Sequence, residues 1–135
     1  MKTIIGITPD YSYELQKYTI SQYYIEAVKK AGACPVVLFD DFPQEINGII
    51  LTGGGDVNPL LFGEEPLTEN GEICPKRDAF ELKLCKWAIS QKIPMLGICR
   101  GMQIIALCSG GSIYQDIYTQ TDSHIKHMQK APRSQ

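Results

Sequence analysis

Four short apolar runs, separated by longer segments, constrain the fold of this 135-residue chain more than any other feature. None of them alternates between apolar and polar residues; they occupy residues 3–8, 34–39, 47–52 and 94–98. A strand that is apolar on both faces is typical of a parallel sheet with helices on each side. We therefore predict an α/β domain built around a mainly parallel sheet.

The segments between these runs predict helices. Apolar residues recur at helical spacing over residues 20–31, and Gly32 stands where a helix C-terminal glycine belongs. Further helices are predicted over residues 75–91, where Pro75 fits the first turn, and from Arg100 to about Ser109. This order of elements predicts a flavodoxin-like, three-layer αβα fold.

The remaining segments are less regular. Residues 11–18 predict a loop, and residues 112–117 predict a further strand. Residues 53–75 form a long segment rich in Gly, Pro, Glu and Asn, and a loop of more than ~15 residues in a compact domain is usually functional. We assign residues 1–117 to the N-terminal part of the α/β domain and residues 118–135 to a polar C-terminal segment.

Charge and cysteine content narrow the class of protein. Thirteen basic and fifteen acidic residues leave a net charge of −2, so no basic field predicts nucleic-acid binding, and no apolar run is long enough for a membrane span. Five cysteines without a C-x-x-C pair argue against a disulfide framework or a zinc site. We expect a cytoplasmic protein with reduced thiols, no metal and no organic cofactor.

One cysteine lies in a distinctive turn. The segment Gly97-Ile98-Cys99-Arg100-Gly101 joins the fourth apolar run directly to the third helix, which is the G-x-nucleophile-x-G arrangement of a nucleophile elbow. Such a turn lies at the carboxyl edge of the sheet, where α/β folds place their ligands. The helix N-terminus favours the thiolate, which is the attacking form of cysteine. Cys99 is therefore the predicted nucleophile; the alternative is a buried cysteine at a tight turn.

A glycine run supports the same chemistry. Gly53-Gly54-Gly55-Asp56 follows the third apolar run and so lies at the same edge of the sheet. Backbone N–H groups of such a run, together with the N–H of Arg100, can donate to the oxyanion of a tetrahedral intermediate. A flexible loop is the alternative; a phosphate cradle is disfavoured because no Gly-Lys-Ser/Thr follows.

Taken together, these motifs resemble the class I glutamine amidotransferase-like superfamily, and within it the γ-glutamyl-γ-aminobutyrate hydrolase-like branch of cysteine peptidases. The R-D-x-x-E motif on the second helix distinguishes this branch from the biosynthetic amidotransferase domains. The matching segments are residues 51–57, Arg77-Asp78 with Glu81, residues 94–103 and residues 110–116.

The resemblance implies a role for five residues. Cys99 would form a γ-glutamyl thioester with a small γ-glutamyl amide. The N–H groups of Gly54, Gly55 and Arg100 would form the oxyanion hole. Gln103 would help to hold the α-amino or α-carboxylate end of the glutamyl group.

Other residues receive no role from the resemblance. For Arg77, Asp78 and Glu81 the alternative interpretation is a surface ion pair at the start of a helix. Family members are nearly twice as long, and their catalytic histidine and its acidic partner lie far beyond the cysteine. Neither His124 nor His127 matches that position, and we predict that both are solvated surface residues.

We therefore expect this chain to be the N-terminal part of a hydrolase, whether as a fragment, a truncated reading frame or half of a split protein. Little or no turnover is expected from it alone, because deacylation needs positioned proton transfer. A half sheet would also expose a strand edge, which predicts self-association. Two alternatives remain: a non-catalytic flavodoxin-like domain that binds γ-glutamyl compounds or a partner, and a deglycase-like cysteine enzyme, which R-D-x-x-E and Gln103 disfavour.

Overall fold

The computed structural model describes residues 2–67 and 72–122. A four-stranded parallel sheet forms its centre, and its strands coincide with the four predicted apolar runs. In spatial order they are β4 (Cys34–Val37), β1 (Ile4–Ile7), β5 (Gly48–Leu51) and β6 (Met95–Gly97). Because β1 is interior and later strands lie on both sides of it, helices can cover both faces, as in flavodoxin-like proteins.

Three helices connect or follow these strands. They are α1 (Gln22–Lys30), α2 (Pro75–Ser90) and α3 (Arg100–Cys108), and each lies within its predicted range. The hydroxyl of Ser21 accepts a hydrogen bond from the N–H of Tyr23 and so begins α1 two residues later than the apolar spacing alone predicts. In the described part of the chain, no helix is long and apolar enough to cross a membrane.

The core lies mainly between the sheet and the α2–α3 pair. Val28 of α1 is buried as well, and Ala27 and Val28 line a groove together with sheet residues such as Ile50 and Leu96. The fold is therefore the predicted three-layer flavodoxin-like α/β arrangement, with α1 opposite α2 and α3. The buried apolar side chains on the α2–α3 face include Leu38, Ile49, Leu51, Leu84, Cys85, Ala88 and Ile104.

The prediction of a loop at residues 11–18 was wrong. Strands β2 (Asp10–Ser12) and β3 (Lys17–Thr19) pair there as an antiparallel hairpin. The ring centroids of Tyr11 and Tyr18 lie 4.9 Å apart, and the ammonium group of Lys76 lies 4.3 Å above the Tyr11 ring. Contacts with the first turn of α2, rather than a local apolar pattern, stabilise this hairpin.

The predicted strand at residues 112–117 was also wrong. No strand occurs there, and a four-residue helix, α4 (Ile117–Gln120), begins at its end. The side chain of Gln115 accepts a hydrogen bond from the N–H of Leu67 and donates one to the carbonyl of Glu65. The segment is thus held against the long loop after β5 instead of pairing with the sheet. Within that loop, residues Pro59–Phe62 form a short 3-10 helix.

Candidate active site

The turn between β6 and α3 places Cys99 at the carboxyl edge of the sheet. Cys99 has φ 54° and ψ −109°, a conformation that non-glycine residues rarely adopt, and it is exposed. A Cβ at Gly101 would overlap the carbonyl oxygen of Leu51, and one at Gly97 would lie 2.6 Å from the nitrogen of Met102. Only glycine fits at positions 97 and 101. The tight turn predicted from the G-x-C-x-G spacing is therefore present.

The other four cysteines are less exposed than Cys99. Cys85 is wholly buried on α2, and this burial, together with a hydrogen bond to Cys108, raises the pKa of Cys85 to about 12. A thiol in that state is protonated at neutral pH and unreactive. Cys99 is therefore the most exposed of the five cysteines.

The glycine run lies beside this cysteine. A Cβ at Gly53 would be 3.5 Å from the Cβ of Cys99. The N–H of Gly53 donates to the hydroxyl oxygen of Tyr24, on α1, at 3.1 Å. The two predicted features, the elbow and the glycine run, thus meet at one point of the sheet edge.

Gly54 and Gly55 are constrained by close neighbours. A Cβ at Gly54 would overlap the Arg77 guanidinium, and one at Gly55 would overlap the carbonyl oxygen of Glu72. Neither Gly54 nor Arg100 donates its backbone N–H to an acceptor among the described residues. Gly54 is exposed, whereas Arg100 is almost wholly buried.

Directly beneath the turn lies a cluster of buried charges, formed by Arg77, Asp78, Glu81 and Arg100. The guanidinium of Arg100 forms ion pairs with Asp78 and Glu81, and Nε of Arg77 lies 3.4 Å from Oε1 of Glu81. The alternative of a surface ion pair was therefore wrong. These positions of α2 face α3 and the sheet edge, where solvent is excluded.

The same cluster joins several elements. Nη2 of Arg77 donates to the carbonyl oxygen of Thr52 at 3.0 Å and to its hydroxyl at 2.9 Å. The Thr52 hydroxyl in turn donates to the carbonyl of Thr8 at 2.7 Å. Oδ2 of Asp78 accepts from the N–H of Asn58 at 3.0 Å. The carboxyl ends of β1 and β5, the following loop and both helices are thereby held in one arrangement.

Burial lowers the pKa of both arginines. For Arg77 the negative charge of Asp10 is the main influence that opposes this lowering of the pKa. Oδ1 of Asp10 lies 3.2 Å from Nη1 of Arg77, as an ion pair without hydrogen-bond geometry. For Arg100 the charge of Arg77 acts in the same direction as burial, and Asp78 opposes both. Each guanidinium therefore depends on its carboxylates to remain buried and charged.

Gln103 lies on the first turns of α3, and its amide oxygen is buried without a hydrogen-bond partner among the described residues. Unpaired buried acceptors are uncommon and call for an explanation. The substrate-binding role of Gln103 stays a prediction.

Several residues of this region were not identified from the sequence: Thr8, Asp10, Tyr24, Thr52 and the side chain of Arg100. A signal existed for the two threonines, because each directly follows an apolar run and so lies at the carboxyl edge. His124 and His127 lie outside the described residues.

The fold and this site define an α/β protein of flavodoxin-like topology with an exposed cysteine on a strained strand-to-helix turn. The profile of the Peptidase C26 family matches residues 3–135. The chain belongs to that family, within the class I glutamine amidotransferase-like superfamily, which confirms the resemblance seen in its motifs.

Named relatives agree with this assignment. The chain is 41% identical over 115 residues to the putative glutamine amidotransferase-like protein YvdE of Lactococcus lactis, covering 80% of this chain and 48% of that protein. It is 42% identical over 104 residues to a putative glutamine amidotransferase of Schizosaccharomyces pombe, covering 72% and 41%. It is 27% identical over 114 residues to the γ-glutamyl-γ-aminobutyrate hydrolase PuuD of Escherichia coli, covering 77% and 44%. The chain thus spans less than half the length of these three relatives.

Proposed function

We propose that this chain carries the nucleophile and the acyl-binding half of a cysteine hydrolase that cleaves γ-glutamyl amides through a thioester on Cys99. The observation that carries the proposal is the exposed Cys99 on a left-handed turn at the start of α3, with the glycine run beside it. The names of the relatives support the substrate class, since they include glutamine amidotransferases and a γ-glutamyl-γ-aminobutyrate hydrolase.

The proposed reaction begins with the Cys99 thiolate. Its sulfur attacks the γ-carbonyl carbon, a C–S bond forms, and the carbonyl electron pair moves onto oxygen. Collapse of this tetrahedral intermediate breaks the C–N bond and releases the amine, which takes up a proton. Water then cleaves the thioester, giving glutamate and the free thiol. Protonation of the amine and activation of water require a positioned acid and base.

Backbone donors stabilise the developing oxyanion in this proposal. The proposed donors are the N–H groups of Gly54, Gly55 and Arg100: Arg100 directly follows Cys99, and a Cβ on Gly54 would lie 3.5 Å from Cδ of Arg100. Each such donor contributes roughly 3–4 kcal/mol to the transition state. Gln103, on the first turns of α3, would help to hold the α-amino or α-carboxylate end of the glutamyl group, as the family resemblance implies.

The buried charges beneath the turn have a supporting role. Arg100 directly follows the nucleophile, and its pairing with Asp78 and Glu81 fixes the first residue of α3 against α2. The orientation of Cys99 is therefore fixed by two packed helices and not by a flexible loop.

A labelling experiment tests the proposal. We expect a glutamine-analogue electrophile to modify Cys99 faster than the other four thiols, with Cys85 unmodified because of its raised pKa. Intact mass and peptide mapping would show a single adduct. Cys99→Ser should abolish it without changing the far-ultraviolet circular dichroism spectrum, whereas Cys34→Ser, the matched control, should be labelled normally. Equal and slow labelling of all five cysteines would refute a primed nucleophile.

A further inference from the structure

Tyr24 extends from α1 to the edge of the sheet where Cys99 lies. Its hydroxyl oxygen accepts the hydrogen bond from the Gly53 N–H at 3.1 Å. That oxygen lies 3.4 Å, and the Cβ of Cys99 lies 3.5 Å, from the point that a Cβ on Gly53 would occupy. The phenol and the cysteine are therefore close neighbours across the glycine run.

The direction of this hydrogen bond matters. Because the Tyr24 oxygen is the acceptor, its own proton is not used in the contact with Gly53. A hydroxyl that accepts a hydrogen bond becomes a better donor, since hydrogen bonds in a chain polarise one another. The Gly53 N–H is used in this hydrogen bond and does not donate to a substrate. The O–H of Tyr24 lies beside it as an alternative donor.

Glycine at position 53 is consistent with such a site. A side chain there would contact both the phenol oxygen and the Cβ of Cys99, and so would take up space beside the sulfur that a reacting carbonyl group needs. Tyr24 is itself partly buried, and the hydrogen bond from the Gly53 N–H holds its hydroxyl in place.

We propose that the Tyr24 hydroxyl is a further donor to the substrate oxygen, strengthening its hydrogen bond as the γ-carbonyl oxygen becomes an oxyanion. The inference rests on the proposed function at Cys99. No proton is transferred: the O–H of Tyr24 donates, the oxyanion accepts, and the Gly53 N–H keeps the phenol oriented. Tyr24 is thus a catalytic residue, additional to the backbone donors.

Two reactions of Cys99 separate this role from simple positioning of the thiol. A γ-glutamyl ester of 7-hydroxycoumarin acylates the sulfur through an oxyanion, and its phenolate leaving group departs without an acid catalyst. Iodoacetamide alkylates the same sulfur by direct displacement at carbon, and no oxyanion forms. Both reactions are followed as a function of time by fluorescence or by intact mass.

Tyr24→Phe removes only the hydroxyl. We expect acylation by the ester to slow about 100- to 1,000-fold, the loss typical of one oxyanion donor, while the iodoacetamide rate and its pH profile are unchanged. Tyr23→Phe is the matched control: Tyr23 is the neighbouring residue and is 72% exposed, so both rates should equal those of the unsubstituted chain.

Urea denaturation would show whether Tyr24→Phe lowers the free energy of unfolding. If it does, a conservative variant still tests the role of the hydroxyl. Tyr24→3-fluorotyrosine, introduced at this position alone, retains the hydroxyl and is a stronger donor. Acylation at least as fast as in the unsubstituted chain is expected.

Three results would overturn the inference. Unchanged acylation in Tyr24→Phe shows that the hydroxyl is not a donor, and an equal loss in both reactions shows that Tyr24 acts only by holding the thiol. If the unsubstituted chain alkylates at Cys99 but is not acylated by the ester, the proposed function itself is wrong, and the Tyr24 inference fails with it.

Discussion

Arg100 directly follows the exposed Cys99 in the sequence, yet its own side chain is buried inside the protein. Its backbone begins α3 beside Cys99, while its guanidinium turns inward to Asp78 and Glu81. A buried cation costs several kcal/mol in lost hydration unless carboxylates pair with it. The R-D-x-x-E motif of α2 supplies these carboxylates, which explains physically why the motif and the cysteine turn occur together in this chain.

This pairing predicts the effect of Glu81→Gln. The substitution removes the negative charge that faces both Arg77 and Arg100, so we expect the free energy of unfolding to fall by about 3–5 kcal/mol. Urea denaturation followed by circular dichroism measures it. Glu26→Gln, on the exposed side of α1, is the control and should change stability by less than about 0.5 kcal/mol. Similar losses in both variants would show that the buried pair is not important for stability.

At the scale of elements, the β6–α3 turn depends on close contact between α3 and β5. The Cα of Gly101 lies against the backbone of Leu51, the last residue of β5, with no room for a side chain. The positive φ of Cys99 persists because the strand and the helix on either side leave the chain no other path. The strained residue is therefore held by neighbouring elements, not by its own preference.

Gly101→Val tests this dependence. The valine side chain would overlap Leu51 and force α3 away from β5, so we expect a loss of about 3 kcal/mol or more in stability, with aggregation on expression. Met102→Val, at the next position of the same helix, is the control, because Met102 is 62% exposed. A Gly101→Val protein as stable as Met102→Val and altered only in Cys99 labelling would contradict the expectation.

For the molecule as a whole, the sheet is unevenly covered. Leu96 of β6, at one edge of the described sheet, is 57% exposed, and beside it lies an apolar groove of about 520 Å³ between α1 and the sheet. Unpaired edges and exposed apolar faces favour association. We propose that this edge mediates self-association of the chain.

Leu96→Lys should weaken such association. The charge would be buried unpaired in any contact at this edge, so sedimentation velocity should show a lower average mass than for the unsubstituted chain at the same concentration. Leu60→Lys is the control, since Leu60 is equally exposed, at 59%, on the 3-10 helix away from the edge. A monomeric unsubstituted chain, or equal effects of both changes, would refute the proposal.

Local patterns in the sequence determined the strands, the main helices and the cysteine turn. Apolar runs, helical spacing and glycines act over a few residues, so they predict the same local structure in different tertiary contexts. The steric need for glycine at position 97 is of this kind, because the atoms in its way belong to Gly101 and Met102, whereas the need at position 101 comes from Leu51 of β5.

Only the tertiary structure decided which polar residues are buried and which weak segments pair. Arg100 and Glu81 are 19 positions apart, and Thr8 and Thr52 are 44 apart, so nothing local indicates that they bond. The hairpin at residues 10–19 depends on Lys76 and its neighbours, and residues 112–117 follow the side chain of Gln115 instead of pairing with a strand. Which residues bond in these places depends on competition between partners that are distant in the sequence. A local sequence pattern carries no information about that competition.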